Sequence, residues 1–99
     1  MKIEEIIESD TITLKVEGSI TSYQGAEFLD AVINAATRKN HVILDLTEVQ
    51  SMSSAGLRGL IIGYKNLLSR GGILELKGVN STIRETIKIT GLDKMLMKK

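Results

Sequence analysis

A chain of 99 residues, 42% of them hydrophobic and 3% aromatic, suits a single domain with an aliphatic core. Its formal net charge of +1 offers no basic excess of the kind that nucleic acid or an anionic membrane surface selects. It has no cysteine, which excludes disulfides, thiolate metal sites and cysteine nucleophiles.

The opening residues Met1-Lys2-Ile3-Glu4-Glu5 carry acids where a signal peptide would carry an apolar run. No segment approaches the roughly 18 consecutive apolar residues of a membrane-spanning helix. A cytoplasmic address with no membrane insertion is expected, as one domain over residues 1–99.

Residues 2–7 read as a short strand, with Glu8-Ser9-Asp10 as its turn. In Thr11–Glu17, Ile12, Leu14 and Val16 alternate with Thr13, Lys15 and Glu17. Period two with one polar side predicts a strand covered on one face. Gly18 ends it. Thr21-Ser22-Tyr23-Gln24 fits a capping box, with Thr21 as N-cap and Gln24 at N3. The helix it opens is expected to bury Phe28, Leu29, Val32, Ile33 and Ala36. Arg38, Lys39 and Asn40 close it with positive charge and a residue tolerant of left-handed backbone.

His41–Leu46 is a near-continuous apolar run, which predicts a central strand covered on both faces. A loop over residues 47–52 leads into a second helix with a core stripe of Leu57, Leu60, Ile61, Tyr64, Leu67 and Leu68. Gly71-Gly72 stops it. Residues 73–77 read as another strand. Thr82-Ile83-Arg84-Glu85 is a second capping-box pattern, opening a helix that buries Ile83 and Ile87. Gly91-Leu92 fits a Schellman stop, and residues 95–97 a last edge strand. The order β-β-α-β-α-β-α-β predicts an α/β fold: a hairpin, right-handed crossovers, and a mixed, mostly parallel sheet with helices packed over it.

The informative stretch is the passage from Asp45 to Leu57. A buried strand feeds a loop that delivers Ser53 and Ser54 to the first turn of a helix. Backbone N–H groups there lack intrahelical partners, and the helix dipole adds about half a positive charge. A serine so placed accepts a phosphate with little strain. The same residues also read as an ordinary N-cap, by either Ser53 or Ser54; capping and switching are compatible.

The run Val49-x-x-Met52-Ser53-Ser54-Ala55-Gly56-Leu57, following Asp45-Leu46, resembles the signature of STAS domains, and in pattern the bacterial anti-sigma factor antagonists. Gly18, Gly71-Gly72 and Gly91-Leu92 extend the resemblance over essentially the whole chain. It implies that Ser54 is phosphorylated by an anti-sigma factor that is itself a serine kinase. The unmodified protein would bind that kinase and so release a sigma factor, and a serine phosphatase would reset the switch. Where the family commonly has acidic residues, before the acceptor and in the loop after the second strand, this chain has Ser53 and Thr21. STAS subunits that dock on an ABC transporter ATPase in lipid transport are the alternative the resemblance allows.

The expected partner surface joins Thr21, Ser22, Ser53, Ser54, Ala55 and Gly56 to Arg58 and Ile62, which the helical period places opposite the core stripe. Gly56, Gly59 and Gly63 form a third stripe, read either as close backbone packing or as access for a partner. No enzyme chemistry emerges. His41 is the only histidine, so no histidine metal triad exists. Ser54 lacks the preceding Gly of a nucleophile elbow, and no cofactor is implied.

Overall fold

The structure is a computed structural model that describes residues 1–89 and Gly91. Strands β1 (Lys2–Glu8) and β2 (Thr11–Glu17) form an antiparallel hairpin. Ser9 takes the turn's left-handed backbone at φ 52°. Helix α1 (Gly25–Arg38) crosses over to β3 (His41–Glu48), and α2 (Ser54–Leu68) crosses over to β4 (Ile73–Lys77). Strand β3 pairs in parallel with both β2 and β4. Helix α3 (Ser81–Ile89) follows, in a four-stranded sheet of order β1-β2-β3-β4. The edge strand expected at residues 95–97 lies outside the described residues, as does Leu92.

Register explains the layering. Ile12 pairs with Val42 and Val42 with Leu74; Leu14 pairs with Leu44 and Leu44 with Leu76. Partners in register point to the same side of a sheet. That side also meets Phe28, Val32, Ala35 and Ala36 of α1, Leu57, Leu60 and Leu67 of α2, and Ile83 and Ile87 of α3, in one buried cluster. Full burial of each large apolar side chain there contributes about 1.5–3 kcal/mol.

The opposite face carries His41, Ile43 and Asp45 of β3, all only half-buried, beside the exposed Ile73, Glu75 and Lys77 of β4. Strand β3 is therefore covered on one face, not two. Its apolar run reflects Ile43, which stands on the open side between Thr13 and Glu75.

Four local expectations change. Helix α1 begins at Gly25, and Gln24 is its N-cap without a side-chain bond. Residues 21–24 form a turn instead, closed by Gln24 N–H donating to Thr21 O at 3.1 Å. The side chain of Gln24 does reach back to accept from Thr21 N–H at 3.2 Å, as in a capping box. The Thr21 hydroxyl, however, donates to Gln24 Oε1 rather than receiving an amide.

At the other end of α1, Lys39 is extended and the chain enters β3 directly, so Asn40 makes no left-handed cap. In α2, Leu68 is 57% exposed and lies off the core stripe. Helix α3 begins one residue before Thr82, and its cap is Asn80, whose Oδ1 accepts from Ile83 N–H at 2.8 Å.

The glycine stripe of α2 is packing. Gly56 lies over Met52 and Ile20, Gly59 over Phe28, and Gly63 over Val32. At the other helix, Gly25 meets Ala55 so closely that a Cβ at residue 25 would overlap the Ala55 methyl. Two helices can approach this far only where one of them lacks a side chain.

Candidate functional site

Two loops meet at the carboxyl ends of the parallel strands. The loop after β2 and the loop after β3 are stitched together by backbone bonds. Gly18 N–H donates to Glu48 O, Ile20 N–H to Ser51 O, and Ser53 N–H to Ile20 O, at 3.0, 3.0 and 2.8 Å. Ile20 and Met52 form a parallel bridge, and both are buried. Ser51 Oγ donates to Ser19 Oγ at 3.1 Å. The entry to α2 is thus tied to the loop after β2 by backbone bonds, although it reads as loop.

At that entry the two serines divide the work. Ser53 is the N-cap: its backbone is extended, and its Oγ accepts from Gly56 N–H at 3.3 Å. Its carbonyl accepts from Leu57 N–H at 3.0 Å. Ser54 is the first helical residue and is exposed. Its hydroxyl makes no hydrogen bond among the described residues, and the N–H groups of Ser54 and Ala55 have no acceptor there either. Capping needs one hydroxyl, and Ser53 supplies it, so the other is left to solvent.

The start of α2 is electropositive, with Glu27 in the first turn of the neighbouring α1 as the one acidic residue of the two first turns. The first turn of α2 holds no acidic residue. The start of α1 abuts that of α2 through Gly25 and Ala55, so two helix N-termini converge, each with about half a positive charge. Arg58 and Lys65 fall within about 40° of Ser54 around α2 at 100° per residue, and Ile61 and Leu68 flank them. Neither Arg58 nor Lys65 forms an ion pair among the described residues.

The expected residues are brought together unequally. Thr21 and Ser22 are exposed on the turn before Gly25, beside the start of α2. Ser54, Arg58 and Ile62 (39% exposed) lie on the outer side of α2. Ser53 and Ala55 are half-buried, and Gly56 is buried; Gly56 shapes the surface from beneath and offers none itself.

Two residues escaped sequence reasoning. Tyr23 is 95% exposed on the same turn, and the sign was available: it is one of three aromatics in the chain, set between polar residues. Asn80 donates from Nδ2 to Val49 O and Gln50 O, both at 3.0 Å, and so pins the loop before Ser53. No local signal reports a contact across 30 residues.

Among the described residues no helix is long and apolar enough to cross a membrane. No group of three or more His, Asp or Glu side chains among them could hold a metal ion.

Comparison with known proteins assigns the arrangement to a class of small α/β modules. The family model described as "Mlab, STAS domain" matches residues 4–98. An anti-sigma-B factor antagonist of Listeria monocytogenes is 33% identical over 95 residues, 93% of this chain and 83% of that protein. Among solved structures, a Thermotoga maritima protein superposes with a TM-score of 0.87 at 22% identity, covering 95% of this chain and 82% of that one. The Bacillus cell-fate determinant SpoIIAA in its phosphorylated form gives a TM-score of 0.77 at 15% identity, covering 97% and 89%. The chain belongs to the STAS domain family.

Proposed function

We propose that this protein is an anti-sigma factor antagonist, switched by phosphorylation of Ser54. The observation that carries the proposal is the division of labour at the start of α2. Ser53 caps the helix, while Ser54 presents a free hydroxyl beside unpaired N–H groups. The similarity to an anti-sigma-B factor antagonist supports the same reading.

Unmodified, the protein binds an anti-sigma factor serine kinase, which then lets go of its sigma factor. The contact surface comprises Thr21, Ser22, Tyr23, Ser54, Arg58 and Ile62. Phosphorylation adds about −1.5 to −2 charge at neutral pH. The converging helix ends tolerate that charge, so the fold survives. The kinase must desolvate it or reject it, and a mismatch of about 1.4 kcal/mol already weakens binding tenfold. A serine phosphatase restores the binding form. The chain is a partner module in this scheme and turns nothing over itself.

Intact-mass measurement after incubation with ATP and the cognate kinase tests the acceptor. One added phosphate is expected, and none in Ser54→Ala; modification that persists in that variant overturns the assignment. Arg58→Glu with Ile62→Asp tests the surface, with an expected loss of kinase affinity of at least about tenfold.

A second reading, docking on the ATPase of an ABC transporter, is favoured by one observation: Thr21 and Ser53 leave the site without acidic neighbours in the first turn of α2. A pull-down separates the two, since recovery of an ABC ATPase in place of a serine kinase selects the second.

A further inference from the structure

The face of the sheet turned away from the helices has no partner among the described residues. Its central row reads Glu4, Lys15, Asp45, Lys77 across β1, β2, β3 and β4. The charges alternate strictly, negative, positive, negative, positive. None of the four is in an ion pair within the described residues. The next rows, Ile6-Thr13-Ile43-Glu75 and Glu8-Thr11-His41-Ile73, mix apolar residues with Glu8 and the His41–Glu75 ion pair, with Ile6 41% and Ile73 55% exposed.

We propose that this face is a homodimer interface, on which a second copy docks sheet against sheet about a two-fold axis running close to the strand direction between β2 and β3. The charge row is what selects the occupant and the axis. Such an axis reverses the strand order, so the row meets its own complement. Glu4 comes to face the partner's Lys77, and Lys15 the partner's Asp45, each twice by symmetry. A two-fold axis laid across the strands along this row would set like charge on like. Face-to-face sheets of this kind pack about 10 Å apart with strands within about 30° of each other.

Size sets the strength. Four strands about 4.8 Å apart and about seven residues long give a face on the order of 400 Å² per copy. Stable complexes use about 800 Å² per partner. The dimer is therefore weak and transient, and because its pairs lie near solvent it dissociates as salt is added. It uses neither Ser54 nor the outer side of α2, so it stands or falls independently of the phosphorylation proposal.

Sedimentation velocity on the whole chain tests it. Association is expected at high protein concentration near 0.02 M ionic strength, and loss of it near 0.5 M, where the Debye length falls below about 5 Å. Glu4→Lys alone and Lys77→Glu alone are each expected to weaken self-association about tenfold or more. Both residues are exposed on outer strands, and circular dichroism checks that the fold is kept. Mixing the two variants is expected to restore association, because each then meets its opposite charge. A chain that stays monomeric at low salt overturns the proposal. So does undiminished association of the single variants, or a mixture that fails to recover.

Discussion

The side-chain amide of Asn80 donates to the carbonyl of Val49 across 3.0 Å, tying the start of α3 to the loop that delivers Ser54. The same side chain bonds Gln50 O and caps α3 through Ile83 N–H. One residue thus serves a helix end and a distant loop together.

Asp at residue 80 keeps the cap acceptor and loses the donor. Asn80→Ala loses both and is expected to cost about 2 kcal/mol, from a cap worth about 1 kcal/mol and bonds of similar worth. Asn80→Asp is expected to cost about half as much. Urea unfolding measures the difference, and hydrogen exchange in residues 49–53 is expected to rise in both variants. Equal costs would mean that the cap contributes nothing, and an Asn80→Asp variant as stable as the parent would mean that the donor bonds contribute nothing.

The two serines at the start of α2 are separable by stability. Ser53→Ala removes the Oγ that accepts from Gly56 N–H and is expected to cost about 1 kcal/mol. Ser54→Ala removes an exposed hydroxyl without a partner and is expected to stay within about 0.5 kcal/mol of the parent. Denaturant midpoints decide it. The reverse order would make Ser54 the cap.

Gly25 and Ala55 form a packing pair. Gly25→Ala sets one methyl on another and is expected to destabilise by about 1–3 kcal/mol. Adding Ala55→Gly clears the overlap. It costs about 1 kcal/mol of helix propensity on its own, yet in the Gly25→Ala background it is expected to recover stability. A double-mutant cycle reads the coupling; strict additivity would show that the helices do not meet there.

Asp45 responds to pH. The Thr47 hydroxyl, donating at 2.6 Å, holds its carboxyl below the ordinary carboxylate range. Partial burial opposes this, and the Thr47 N–H with Lys77 and Lys15 assists it. A folded pKa below the unfolded one contributes stability that is fully present above the unfolded value, about 3.9. That contribution is lost as pH falls through the folded value. Thr47→Val is expected to raise the Asp45 pKa and to make the acid loss of stability smaller. NMR titration of Asp45 and unfolding at a series of pH values check the two parts.

Much of this is legible in the sequence, and the exceptions have a common cause. The alternation of Ile12, Leu14 and Val16 marked β2 and its buried face, because a strand has period two whatever lies around it. Ser54 stood at a helix start because the apolar stripe begins at Leu57. Thr21 looked like a cap by its spacing to Gln24, and the same spacing also closes a turn. Leu68 continued the stripe by periodicity and still lies exposed, because α2 ends there and Gly71-Gly72 lead the chain away. Ile43 made β3 look covered on both faces, since an apolar residue carries no record of which side the helices take.

By itself, the sequence determined the order of the elements from β1 to α3, most of the residues that share a side of each, and the placing of two serines where α2 begins. The tertiary structure alone decided that all three helices pack on one face, that Gly25 lets α1 touch α2 beside Ser54, and that Asn80 reaches back to Val49. The physical reason is range. Periodicity and caps are set by neighbours within about one turn, whereas what covers a face depends on segments brought together only by folding.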